Sequence, residues 1–427
     1  MAPVTKSPLN RICMRTFKQI LILLPIMAVT LPSYSESFTA KRTGQGFTAL
    51  TQDFTSSLSN PALLTKFDND DDVFFSLNLG IMASDEYDVI DTTEDISDNL
   101  DQLVDDLDDL NNIQSPSQAQ SASNNLNQQV DDIVSDFESI DEKKVKIRNG
   151  INLQIMIPNK SLSFGLFTNQ YGRLGGSMDY SQGDEQTLDA AVANCINPTT
   201  LTCTLDLKDL DSATLAVGYS IAEVGFMAAY PVVKHASYDL SVGAKLKYQR
   251  IDLYYNRTLI SDFDDDDFEI TGDENITDKS GTNVDLGFYV NWGAERQWHA
   301  ALVTNNLMKK TVLHVKQNIA FKLESSATFG LSYQNNWISL ATEIDLTDRE
   351  QFASLEASKY AGAGAEFRFY EHIQFRLGYR TDLNDIDDDI YTAGIGISPW
   401  DVFAIDIAAF TGDNDTLGAA LQLSLKI

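Results

Sequence analysis

Over its last third the chain alternates with a two-residue period, strand after strand, and stops on such a strand. Leu417, Ala419, Leu421, Leu423, Leu425 and Ile427 fall on one side, and Gly418, Ala420, Gln422, Ser424 and Lys426 on the other. A period of two belongs to β-strands, and a sheet that is apolar on one face and polar on the other suits a closed barrel with lipid outside and a lumen inside. After the N-terminal segment no stretch of about 18 unbroken apolar residues occurs, which argues against a helical membrane protein. The expected fold class is all-β: an antiparallel transmembrane β-barrel in a bacterial outer membrane.

Reading strands by alternation gives about 14 segments. They run near 73–83, 149–157, 161–170, 213–231, 238–254, 281–293, 297–304, 326–334, 337–346, 359–369, 373–381, 390–398, 401–410 and 416–427, with 213–231 open to division into two. Tight turns fall at Pro158-Asn159-Lys160, Lys234-His235, Ala294–Arg296, Asn335-Asn336, Tyr370–His372 and Pro399-Trp400. Each long connection lies between two of them. Barrels of this kind have short periplasmic turns and longer outer loops, so the rhythm predicts both topology and orientation.

The phases are forced, because a Lys or Arg on the lipid face at mid-depth costs roughly 2–4 kcal/mol. Val284, Leu286, Phe288, Val290 and Trp292 therefore face out, opposite Asp285, Gly287, Tyr289 and Asn291. The same reasoning sends Lys245, Lys247, Asp285, Glu343, Asp345, Glu366, Arg368, Arg376 and Arg380 to the lumen. There they either neutralise one another in a filled barrel or line a polar conduit.

Residues 1–35 carry Lys6, Arg11, Arg15 and Lys18, no acid, an apolar stretch from Ile20 to Val29, and Ser33-Tyr34-Ser35, a small-x-small cleavage signal. They read as a signal peptide, and Cys13 would leave with it. Its loss would take the formal net charge from −31 to −35. Such a chain repels nucleic acid and anionic surfaces, so no nucleic-acid partner is expected. Cys195 and Cys203 lie in a polar loop of a protein destined for an oxidising compartment, and the expectation is a disulfide pinning that loop.

Two segments do not read as barrel. In 92–144, Ile96, Leu100, Leu103, Leu107 and Leu110 are spaced 4-3-4-3, and Leu126, Val130, Ile133, Phe137 and Ile140 repeat the spacing across a polar turn. This predicts an antiparallel helical hairpin inserted in the first outer loop, either a self-contained decoration or a handle for a protein partner. Its outer faces carry Asp91, Asp95, Asp98, Asp101, Asp105, Asp106, Asp108 and Asp109. Residues 36–72, ahead of the barrel (73–427), are apolar with Gly turns. They read as a plug in the lumen, the other option being a periplasmic tail.

The plug segment contains Gly44, Gly46 and Phe47 as Gly-x-Gly-Phe, followed by Asn60-Pro61-Ala62-Leu63-Leu64. This pattern resembles the N-terminal region of FadL-type outer-membrane proteins. It is more similar still to the TraF-like family associated with plasmid conjugal transfer. The Asp68–Asp72 patch, the Val73–Leu79 strand and the acidic helical stretch Asp91–Asp109 follow in the family's order. Lys247–Asp252, Ala341–Leu346, Ala361–Arg380, Gly394–Pro399 and the closing Leu417–Ile427 extend the resemblance over most of the chain. It implies a FadL-like barrel of 14 strands with an N-terminal hatch that passes hydrophobic or amphiphilic small molecules. It equally implies an alternative, an envelope or conjugal-transfer protein acting through the hairpin and surface loops. The F-plasmid protein of the family name is described as thioredoxin-like, and this chain has neither a Cys-x-x-Cys nor a βαβ rhythm. Its last residue is Ile427 rather than the Phe common in outer-membrane barrels.

Acidic runs occupy three long connections: Asp264–Asp267, then Asp382, Asp385, Asp387, Asp388 and Asp389, then Asp413 and Asp415. All are expected to face outward. They form either a solvated acidic surface or weak Ca²⁺ or Mg²⁺ sites, with Asp264, Asp265, Asp266, Asp267, Asp385, Asp387 and Asp389 as the oxygen donors. A purely structural barrel stabilised by such cations is a third option. His235, His299, His314 and His372 are scattered, and no nucleophile, zincin or phosphate-loop motif occurs. No enzyme activity and no resident cofactor are expected.

Overall fold

The computed structural model describes residues 38–67, 72–86, 88–110, 116–141, 143–196, 205–262, 276–315, 319–369, 372–400 and 402–426. The leader, Cys203 and Asp264–Asp267 lie outside the described residues, as does the Cys195 side chain, and with them the expected disulfide.

The wall is a closed antiparallel barrel of 14 strands. In chain order they are β1 (Phe74–Asp85), β2 (Lys144–Ile157), β3 (Ser163–Asp179), β4 (Ala213–Lys234), β5 (Tyr238–Leu259), β6 (Ile276–Trp292), β7 (Trp298–Asn305), β10 (Ser326–Gln334), β11 (Ile338–Asp345), β12 (Tyr360–Phe369), β13 (Ile373–Asp382), β14 (Ile390–Ile397), β15 (Phe403–Gly412) and β16 (Leu417–Lys426). Two further short strands, β8 (Lys310–Leu313) and β9 (Ala320–Leu323), form a hairpin of their own between β7 and β10. β16 closes the cylinder on β1 from Phe74↔Lys426 to Ala83↔Leu417. The segment 213–231 is one strand, running on to Lys234 with a single irregularity between Pro231 and Val233, where proline cannot donate to the ladder.

The inside–outside phases follow the lipid argument. Phe288, Leu246 and Leu377 are 43%, 55% and 59% exposed, while Lys245, Asp285 and Arg376 are buried in the lumen. Trp298, Trp337, Trp400, Tyr230 and Tyr238 stand exposed around the end that carries the short turns, an aromatic girdle. The long connections all leave from the opposite end.

On that opposite end α2 (Val89–Leu110) and α3 (Pro116–Ile140) pair as expected, with Gln129 donating to Asp106 at 2.7 Å between them. Their apolar seam is not closed on itself. α4 (Gly183–Ile196), a helix in the connection read from sequence as a cysteine loop, adds Leu188, Ala191 and Val192 to the same cluster, and Met178 and Ile260 join from the barrel rim. The hairpin is thus one part of a three-helix cap seated on the rim.

The β8–β9 hairpin folds over the mouth. Val312, Phe321 and Leu323 are buried with Tyr219, Ile221, Ile251, Leu253, Phe352 and Leu355. Phe321 lies 4.9 Å from the Tyr219 ring and 6.2 Å from that of Phe352. This apolar cluster continues down to Phe38 and Phe47 of the N-terminal segment.

Candidate functional site: the hatched lumen

Residues 38–67 lie within the barrel and not as a tail below it. Thr39 caps the short helix α1 (Ala40–Gly44) by accepting from the Arg42 amide at 3.3 Å. The chain then reverses at Gly46 and Phe47, both with left-handed backbones (φ 65° and 61°). Glycine takes that conformation at no cost, and Phe47 holds it by burying its ring against Phe38 and Phe410. Two 3-10 turns follow. Phe54–Ser56 is capped by Asp53, and Pro61–Thr65 by Asn60, whose Oδ1 accepts from the Ala62 amide at 3.1 Å. In Asn-Pro-Ala-Leu-Leu the Asn side chain caps the turn, and the Pro occupies the position where a missing N–H does no harm.

Main chain meets main chain where this segment touches the wall. A Cβ at Gly378 would stand 2.0 Å from the Gly46 nitrogen, one at Gly362 2.2 Å from the Gly46 oxygen, and one at Gly364 2.5 Å from the Gln45 oxygen. Across the lumen a Cβ at Gly243 would lie 2.4 Å from the Ala62 nitrogen, and one at Gly287 2.2 Å from Asn60 Oδ1. Two bare patches, one on β5–β6 and one on β12–β13, therefore receive the two turns of the hatch. No other residue type permits that approach.

Polar groups complete the seat. The Glu343 carboxylate accepts from the amides of Ala49 and, at 2.5 Å, Leu50. Thr392 Oγ1 donates to the Gly44 oxygen and accepts from the Gly46 amide, both at 3.1 Å. Lys245 donates to the Leu58 oxygen at 2.7 Å. Within the hatch, Lys41, 3.2 Å from the half-exposed Asp53, holds its carboxyl well below the usual carboxylate range, with the Thr55 hydroxyl adding to the effect. Burial brings the Lys66 ammonium down to about 8, where it rests over the Tyr289 ring and donates to the Gln52 oxygen.

The lumenal charges pair with one another. Asp285 receives Lys245 at 3.0 Å and Lys247 at 2.9 Å, and Lys247 also meets Glu223 at 2.8 Å. Arg376 bridges Glu366 and Asp406, each at 2.7 Å, and Arg368 meets Glu366 at 2.7 Å. Asp345 accepts from Arg349 at 2.6 Å. Arg380 stacks on Phe47 at 3.8 Å and on Tyr360 at 4.3 Å. Of the two readings of these residues, this geometry matches the filled barrel. Buried charges tolerate such an interior only when each is neutralised.

The acidic outer loops need one correction. Asp387 does not face out. It is buried, bonded to Arg148, Arg173 and Lys146. Asp389 accepts from the Tyr379 hydroxyl at 2.5 Å, and Asp388 from Asn414 and Thr416. Among the described residues no three His, Cys, Asp or Glu side chains gather at metal-holding distance. Asp385, Asp387 and Asp389 therefore gather no cation site among the described residues, Asp387 being taken by Arg148, Arg173 and Lys146 and Asp389 by Tyr379.

The model of the family described as "F plasmid transfer operon, TraF, protein" matches residues 57–345. The chain belongs to this family. The matched span of the TraF-family chain begins just before Asn60-Pro61, takes in the helical hairpin and ends at Asp345, so it contains the second turn of the hatch but not Gly44–Phe47. Among solved structures the chain is similar to the Pseudomonas putida toluene transporter TodX (12% identity, 92% of this chain and 99% of that one, TM-score 0.48). It is similar also to the CymD monoaromatic hydrocarbon channel (10%, 92% and 98%, 0.49) and to a Pseudomonas aeruginosa FadL homologue (10%, 91% and 97%, 0.48). No curated protein matches it by sequence.

Sequence reasoning grouped Gly44, Gly46, Phe47, Asn60, Pro61 and Ala62 as one plug motif; the structure sets Gly44 and Gly46 against β12–β14 and Asn60–Ala62 against β5–β6. It missed the glycines that receive them, although their inward phase was visible in the alternation. It also missed Arg148, Arg173 and the partner they share.

Proposed function

We propose that this protein is an outer-membrane channel for hydrophobic or amphiphilic small molecules, gated by movement of residues 38–67. One observation carries the reading: the hatch is non-covalently seated against a wall left bare to receive it. A segment meant only to fill space would need no main-chain fit. Above it lies an apolar interior built from the β8–β9 hairpin, Phe47 and Phe410, a suitable surrounding for an uncharged cargo. The Gly-x-Gly-Phe and Asn-Pro-Ala-Leu-Leu turns, similar to those of FadL-type proteins, support the same reading. Among the described residues neighbouring wall strands pair in unbroken register apart from the Pro231/Val233 step, which supports a path through the hatch.

A cross-link tests it. A Cβ at Gly44 would stand 3.4 Å from the Ala408 Cβ, close to disulfide geometry. Gly44→Cys with Ala408→Cys, in a background with the native cysteines replaced by Ser, should abolish uptake of a labelled hydrophobic compound when oxidised and restore it when reduced. Equal uptake in both states would exclude a moving hatch.

A second reading, an envelope or conjugal-transfer interaction protein, is favoured by the family match and by the three-helix cap on the outer rim. Deleting 92–144 should then abolish mating or partner capture and leave uptake unchanged.

A further inference from the structure

Arg148 on β2 and Arg173 on β3 are direct cross-strand partners on the inner face of the wall, and both are buried. Two guanidinium groups directly opposite each other in a sheet repel, and burial strengthens the repulsion. Lys146, also half-buried, adds a third positive charge two residues away. The pair is tolerable only with an anion between its members.

The anion comes from far along the chain. Asp387 belongs to the connection between β13 and β14, and β1, β16 and β15 intervene between β14 and β2 around the wall. Its carboxylate takes Arg148 and Arg173 (the latter at 3.1 Å) and Lys146 at 3.3 Å, and it accepts from the Tyr360 hydroxyl. Lys146 also donates to the neighbouring Ile386 oxygen at 2.5 Å. Burial would raise the Asp387 carboxyl, yet Arg148, Arg173 and Lys146 hold it well below the usual range. The loop is thus drawn across the mouth as a chord. Tyr360, beneath it, lines a small cavity with Phe47, Arg42, Arg349, Arg380 and Thr328.

We propose that Lys146, Arg148 and Arg173 form an anion site at the outer mouth which Asp387 fills from within the chain, so that the 383–389 connection is a latch released when a carboxylate or phosphate group displaces Asp387. The lumen then has two closures in series, the latch outside and the hatch inside. The inference rests on the outward orientation of the long connections proposed above, but not on the nature of the cargo.

The test is labelling from outside intact cells. Thr328→Cys, in a background with the native cysteines replaced by Ser, reports access beneath the latch to a membrane-impermeant maleimide. Asp189→Cys, exposed on α4, is the orientation control. With the latch intact Thr328→Cys should label slowly. Asp387→Asn should speed labelling about tenfold or more, as expected for loss of charge-assisted bonds. Asp387→Glu should leave it slow, and Arg173→Gln, which removes a single cation, should raise it by a smaller factor. Inorganic phosphate and acetate, tested separately, should accelerate labelling saturably in the otherwise wild-type latch and not in Asp387→Asn, with chloride at matched ionic strength ineffective. Unchanged labelling in both Asp387→Asn and Arg173→Gln, or equal acceleration by chloride, would overturn the proposal. Failure of Asp189→Cys to label would instead overturn the orientation on which the channel reading depends.

Discussion

The hatch and the three-helix cap are both insertions against the same barrel, yet they are held by opposite means. The cap is a side-chain structure: Ile96, Leu100, Leu103, Leu107, Ile133 and Phe137 are buried along one seam, and any backbone that presents them would serve. The hatch is held by absence. Its backbone comes close to the wall because Gly378, Gly364, Gly243 and Gly287 have no side chain, and Phe47, Leu50 and Leu63 pack beside those contacts. A seam of buried apolar groups resists separation in proportion to its area. The hatch–wall hydrogen bonds run through side chains such as Glu343, Thr392 and Lys245, and such bonds exchange for water's at small net cost.

The sharpest way to break the comparison is Gly378→Val. The added carbon falls on the Gly46 nitrogen, while valine suits the strand itself, so the hatch should undock completely from an intact barrel. Planar-bilayer recordings should show a large steady conductance. A closed pore would mean that the hatch is not held by the glycine wall. Phe137→Ala should cost about 3–5 kcal/mol within the cap. It should raise protease sensitivity there and leave both conductance and heat-modifiable gel migration unchanged. Glu343→Gln removes the carboxylate that serves Ala49 and Leu50, and should cost about 1–3 kcal/mol of hatch docking, read as faster hydrogen exchange at those two amides.

A pH effect comes next. Lys66 has its pKa lowered to about 8 in the seat, against the ordinary 10.5, so the undocked hatch binds more protons between these values. Docking should therefore tighten as pH rises from about 8 towards 10.5, with falling leak conductance, and Lys66→Met should flatten the profile. Smallest of all, Asp101→Asn with Asp108→Asn on the solvent face of α2 should shift thermal stability by no more than about 0.5 kcal/mol.

The wall was legible in the sequence because lipid enforces the phase of every strand, and Val284–Trp292 or Phe375–Tyr379 leave no second reading. The seam of the cap was legible because its 4-3 spacing is long. α4 was not: Leu188, Ala191 and Val192, just ahead of Cys195, make too short a stripe to stand out. Nor was the β8–β9 hairpin, whose strands are four residues each. The hatch was placed by its two turns, but its glycine seat required knowing which strands would face each other across the lumen. Asp387 lay in an acidic run whose neighbours Asp388 and Asp389 bond elsewhere, and its cationic partners are 214 to 241 residues distant in sequence. No local pattern encodes that meeting.

The bare patches, on β5–β6 and on β12–β13, are parted by β7, β10 and β11 on one side of the cylinder and by the β1–β16 seam with its neighbours on the other. The hatch runs directly into β1, so one end of residues 38–67 is tied covalently to the wall beside the seam with β16, and its two turns sit at the end of that tether.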